Sequence, residues 1–126
     1  MDYPELAQLS APLRIHIGAA DDWTRAVPCQ TLADSLRAAG QDVAITVYPG
    51  AQHGFDSVGG RAVTRLPKVD NGSSCHWRLA SMNGPTLNPA EILGCRTKGA
   101  TVGYNAEATE AARERARSEL ELILKR

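Results

Sequence analysis

This sequence predicts an α/β fold organised around one parallel strand–helix–strand unit. Residues 13–17 and 43–48 are two short runs rich in β-branched residues, and each leads into a glycine-containing loop. The segment between them carries apolar residues at helical spacing, the order expected of a crossover between parallel strands. Near the end, residues 106–124 combine an Ala/Leu stripe with flanking charge, which predicts a helix able to pack on a sheet.

Taken in order, residues 1–12 read as a short helical turn around Leu6 and Leu9, followed by a loop at Ser10, Ala11 and Pro12. Leu13, Ile15 and Ile17 alternate with Arg14 and His16, so the first strand has one face that is not fully apolar. His16 is therefore expected to be solvated or covered by a helix, rather than to serve as a ligand. Pro28 suits a first helical turn, where its missing N–H costs nothing. Leu32, Ala33, Leu36 and Ala39 make one apolar face, and Gly40 supplies a stop, so a helix is predicted over 28–39. Pro49 and Gly50 end the second strand.

Beyond Phe55 the pattern weakens. Residues 57–98 are expected to form an irregular insertion within a single domain spanning 1–126. Gly59, Gly60, Pro67, Asn71 and Gly72 mark 57–75 as a long surface loop, with Arg61, Arg65 and Lys68 solvated on it. Residues 75–82 read as a short strand ending at Asn83-Gly84. Asn88, Pro89 and Glu91 announce a short helix that stops before Gly94. Asn105 reads as the N-cap of the last helix. Glu107 and Glu110 lie near its positive end, and Lys125 and Arg126 near its negative end. Ala108, Ala112, Ala116, Leu120, Ile123 and Leu124 are its expected buried stripe. Glu110 with Arg113, Glu114 with Arg117, and Glu121 with Lys125 lie on the wet side.

The 14 basic residues are matched by 14 acidic ones, so neither a nucleic acid nor an anionic membrane is implied as a partner. No apolar run is long enough to span a bilayer. The three cysteines form no Cys-x-x-Cys pair, and Cys75-His76 is too small a set for a zinc site. A cytoplasmic setting is expected; a Cys75–Cys95 disulfide would instead suit an exported protein. Cys29 is expected in the core of its helix rather than as a nucleophile.

The chemistry gathers at the carboxyl ends of the two strands, where parallel α/β sheets place their ligands. Asp21 and Asp22 follow the first strand, and His53 follows the second. One βαβ unit makes those two ends neighbours. A carboxylate beside a histidine at such a place is the acid–base part of a triad in the order nucleophile, acid, histidine. Asp21 is the expected acid, Asp22 the alternative, and His53 the expected general base.

Gly18-x-x-Asp21-Asp22-Trp23-Thr24, then Pro28-Cys29, then Val47-Tyr48-Pro49-Gly50-Ala51-Gln52-His53-Gly54-Phe55, resembles the dienelactone hydrolase family of α/β-hydrolases. Gly99-Ala100-Thr101-Val102-Gly103-Tyr104-Asn105 is similar to that family's C-terminal stretch. The resemblance is close over 6–56 and 99–124 and poor over 57–98. It implies the C-terminal part of an α/β-hydrolase fold, a short parallel sheet with flanking helices. It also implies hydrolysis of a small carboxylic ester or lactone without a cofactor, with Asp21 and His53 in the triad and Trp23 and Phe55 against the substrate. The family's nucleophile sits in a Gly-x-Cys/Ser-x-Gly elbow upstream of the acid, and no such pentapeptide occurs in these 126 residues. The expectation is therefore a chain inactive by itself, needing either an N-terminal half or a second copy of itself. The competing expectation is a non-catalytic remnant that acts by self-association or binding.

Overall fold

The computed structural model describes residues 9–76, 79–81, 84–85 and 89–125. The expected turn around Leu6 and the Asn88 N-cap lie outside the described residues. Strand β1 (Leu13–Gly18) runs into helix α1 (Ala26–Ala38), which returns the chain to strand β2 (Val43–Tyr48). β1 and β2 pair in parallel, from Leu13 opposite Val43 to Gly18 opposite Tyr48. The strand–helix–strand unit predicted from the sequence is thus present, and the protein is a mixed α/β structure with small sheets and flanking helices.

α1 begins at Ala26, two residues earlier than expected, and Pro28 remains within its first turn. Its N-cap, Arg25, makes no side-chain capping bond. At the other end Gly40 has φ +78°, the left-handed position that glycine takes without a Cβ penalty, and Gln41 N–H reaches back to Leu36 O at 3.0 Å. Ala33 and Leu36 bury against Val43, with Leu13, Ile15, Leu32 and Ile45 packed around them. Full burial of a Leu or Val side chain stabilises by about 1.5–3 kcal/mol. This cluster fixes α1 against one face of the sheet.

The opposite face meets helix α3 (Ala106–Leu124). Asn105 caps it, as expected, by accepting from Ala108 N–H at 3.0 Å. Tyr48, Ala51, Phe55 and Ala108 form a second core cluster there, with Ala112 against it. The stripe expected along α3 is buried only in its first turns. Leu120 and Leu124 are 56% and 80% exposed. Of the expected surface pairs, Glu121–Lys125 is present at 4.0 Å; a pair not expected, Arg115–Glu119, forms at 3.2 Å.

The segment expected to be an irregular loop contains an ordered strand, β3 (Thr64–Asn71), antiparallel to β6 (Thr97–Val102). The register shifts between Leu66 and Asp70, so Pro67, which has no N–H to give a ladder, falls inside the irregularity. Between these strands lie β4 (Leu79–Ser81), β5 (Gly84–Pro85) and the short helix α2 (Pro89–Cys95). A Cys75–Cys95 disulfide, Cα to Cα 5.0 Å, ties the base of this excursion together.

Candidate active site

The loop after β1 turns tightly because Gly18 lies against the backbone of the loop after β2. A Cβ on Gly18 would run into the carbonyl oxygen of Ala51. Ala20 N–H donates to that same Ala51 oxygen at 3.0 Å, so the two loops are stitched edge to edge. Gly54, at φ +71°, then turns the chain directly after His53.

This close approach brings Asp21 to His53, with Asp21 Oδ2 3.0 Å from His53 Nδ1, within the reach expected for an acid–histidine pair. Asp21 is engaged on both oxygens. Oδ1 accepts from Trp23 N–H at 2.9 Å and Thr24 N–H at 2.7 Å, an Asx turn that holds the carboxylate in place. Oδ2 accepts from the Thr24 hydroxyl at 2.8 Å as well as facing His53. Only 6% of the Asp21 side chain is exposed, against 38% for His53.

These contacts fix the proton on the imidazole. Asp21 can only accept, so in this pair Nδ1 must donate. Thr24 Oγ1, 3.0 Å from the same nitrogen, gives its own hydrogen to Asp21 and offers a lone pair to Nδ1–H. Nε2 of the neutral ring then carries the free lone pair, and it has no partner among the described residues. That is the arrangement a general base requires. Thr24 is a site residue missed from the sequence. The signal was there, a hydroxyl three positions after an Asx-turn carboxylate, but it equally describes an ordinary helix approach.

His53 lines a cavity of about 580 Å³. Ile17, Asp21, Phe55, Thr109, Ala112 and Arg113 are also on its walls. Phe55, expected at the substrate, lines it while remaining 7% exposed in the α3 core cluster. Trp23 is also expected there. Its ring packs on His53, centroids 5.0 Å apart at 53°, and its Nε1–H donates to Asp70 O at 3.0 Å. Trp23 is thus in contact with both the histidine and β3.

Asp22, the alternative acid, faces away from His53. Its carboxylate accepts from Thr101 N–H at 2.7 Å and from the Thr101 hydroxyl at 2.9 Å, and pairs with Arg65 at 2.8 Å. Burial works to raise its pKa, but the Thr101 hydrogen bonds and the Arg65 charge outweigh it and hold the carboxyl below its ordinary value. Cys29 goes the other way. Burial, with the negative charge of Asp21 nearby, pushes its thiol up, which disfavours the thiolate a nucleophile needs.

His16 is covered by α3, one of the two outcomes expected for it. Nδ1 lies 2.7 Å from the Tyr48 hydroxyl and Nε2 3.0 Å from Glu119 Oε2. Burial and the Glu119 charge raise the Tyr48 pKa, so the phenol keeps its proton and can donate to Nδ1. Among the described residues no group of three or more His, Cys, Asp or Glu side chains is placed to hold a metal ion.

Compared with known proteins, residues 2–123 match the model of the dienelactone hydrolase family. The chain belongs to the dienelactone hydrolase family. That family is one of hydrolases, and the match runs through the 57–98 stretch in which the sequence resemblance is poor. No curated protein and no solved structure matches the chain.

Proposed function

We propose that this dienelactone hydrolase family chain supplies the acid and the general base of an ester- or lactone-hydrolysing triad. Asp21 holds the tautomer and orientation of His53. Nε2 of His53 takes the proton of a nucleophile and later returns it to the leaving oxygen. The observation that carries this reading is the Asp21–His53 contact at 3.0 Å with Nε2 uncommitted at a cavity. Phe55 and the apolar α3 wall give the cavity a surface suited to the carbon skeleton of a small ester, without a cofactor.

The nucleophile is proposed to come from outside these residues, because no Gly-x-Cys/Ser-x-Gly run occurs among them, and burial and the Asp21 charge disfavour a Cys29 thiolate. On this reading the chain is the C-terminal part of an α/β-hydrolase fold. Its thin core supports that view: among the described residues no large side chain is fully buried. Leu120, Leu122 and Leu124, at 56%, 67% and 80% exposed, give α3 an apolar end that an N-terminal segment or a second copy would cover. The same exposure favours the second reading, a self-associating module without catalysis.

The deciding experiment assays the purified chain on a p-nitrophenyl ester, alone and with the segment encoded directly upstream. The expected result is negligible turnover alone and restored turnover on complementation, lost with His53→Ala. Rapid turnover by the chain alone that His53→Ala abolishes overturns the external nucleophile. Complementation without turnover leaves the self-association reading standing in its place.

A further inference from the structure

Two adjacent carboxylates follow β1, and only the first touches His53. The second joins the catalytic loop to a different part of the molecule. Asp22 accepts two hydrogen bonds from Thr101 on β6, at 2.7 and 2.9 Å, and pairs with Arg65 on β3 at 2.8 Å. Its own carbonyl accepts from Asn71 Nδ2 at 2.9 Å, and the same amide donates to Gly99 O at 2.8 Å, so Asn71, 5% exposed, bridges loop and ladder. Trp23 adds a fifth link through Asp70 O. The β6 end holds the other loop as well: Gly103 N–H donates to His53 O at 3.2 Å, and Asn105 N–H to Phe55 O at 2.9 Å. The β3–β6 ladder therefore backs both loops at once.

We infer that Asp22 is a positioning residue, which clamps the Asp21 loop onto the β3–β6 ladder and so sets the distance between Asp21 and His53. The inference rests on the acid–histidine reading proposed above. The physical reason is geometric. Asp21 is fixed within its own loop by Trp23 and Thr24 N–H, so moving the loop moves the carboxylate. His53 is fixed by β6 through Gly103, so a loop that loosens from β6 leaves Asp21 tied to the His53 loop only through the Ala20–Ala51 stitch and frees it to shift from the imidazole. Asp22 is the loop side chain that reaches both strands of the ladder, Thr101 on β6 and Arg65 on β3. The outer positions 57–98 thereby acquire a role: they present Arg65, Asn71 and, across the ladder, Thr101.

The test follows exchange of the His53 Nδ1–H proton by NMR on ¹⁵N-histidine-labelled chain, with the signal assigned by its loss in His53→Ala. In the unmodified chain this proton is expected to be protected, and Asp21→Asn is expected to remove the protection. Asp22→Ala should quicken its exchange by roughly fivefold, the factor equivalent to one net hydrogen bond, while the β1 and β2 amides keep their protection. A merely structural role would quicken those amides by the same factor and overturns the inference. So does Asp22→Ala with unchanged Nδ1–H exchange. Should Asp22→Ala not fold, Asp22→Asn decides, since it keeps an acceptor for Thr101 N–H but loses the Arg65 ion pair; unchanged exchange there overturns the inference too. If Asp21→Asn changes nothing, the acid–histidine pair itself is refuted and the Asp22 role falls with it. If Asp21→Asn acts and Asp22→Ala does not, only the Asp22 role is refuted.

Discussion

Two histidine–carboxylate pairs line or flank the same cavity, and they are equally short. His53 meets Asp21 at 3.0 Å, and His16 meets Glu119 at 3.0 Å. What separates them is the second ring nitrogen. In His16 both nitrogens are engaged, one by Tyr48 and one by Glu119, so the ring fastens α3 to the sheet. Both rings line the same cavity, but in His53 one nitrogen is held and the other has no partner among the described residues. A short His–carboxylate distance therefore does not mark a general base. A general base also needs an imidazole oriented on one side and uncommitted on the other.

The largest expected effect tests that distinction directly. In the chain supplied with its nucleophile-bearing segment, Asp21→Asn should lower turnover by roughly 10⁴-fold, as expected when the ring loses the partner that sets its tautomer. His16→Ala should leave turnover within about threefold, since it touches stability rather than proton transfer. Equal losses in the two variants, read as kcat on an ester substrate, would erase the comparison.

Gly18→Ala should separate the pairs structurally. Gly18 lies between His16 and Asp21, and its new methyl would push on Ala51 O, where the Asp21 and His53 loops touch. Overpacking of that kind costs about 1–3 kcal/mol. Chemical denaturation should show that loss, and NMR should show the His53 environment disturbed while the His16–Tyr48–Glu119 cluster persists. A variant as stable as the parent would mean that the loops can part without strain.

A smaller effect is expected at the other pair. Glu119→Ala removes one partner of a largely buried contact, and about 1 kcal/mol should be lost. Amide exchange should quicken in the second half of α3, beyond Ala112, with the Asp21–His53 contact unchanged. Uniform quickening across the sheet would show that the helix is not fastened separately.

The smallest effect concerns pH. The folded-state pKa of Asp22 is depressed below its ordinary value of 3.8, so its contribution is fully present above that value and is lost as pH falls through the depressed one. The β3–β6 clamp should hold through neutral and mildly acidic pH and loosen only below the ordinary carboxylate range. Trp23, linked to Asp70 O, is a fluorescent reporter of that loosening. Asp22→Asn should flatten the acid limb of the Trp fluorescence profile; an unchanged limb would place the acid sensitivity elsewhere.

Much of the first half of the molecule is legible in the sequence, because its determinants are local. The alternation of Leu13, Ile15 and Ile17, the Pro28 and Gly40 punctuation and the 43–48 run specify a βαβ unit. Such a unit brings the residues after its two strands together, so the Asp21–His53 contact follows from chain order. The Asn105 cap is legible for the same reason: donor and acceptor are three residues apart. What only the tertiary structure decided is the division of labour among like residues. Asp21 and Asp22 are adjacent and chemically identical, and the choice between them depends on Thr101, 79 positions away, and Arg65, 43 positions away. His16 is committed by Glu119, 103 positions away. The strand at Thr64–Asn71 carries Pro67 and charged residues, and it is a strand because β6 supplies the ladder. Local propensity and spacing act over one turn or one crossover. Which of two identical side chains faces a partner is set by long-range packing, and no pattern along the chain encodes that directly.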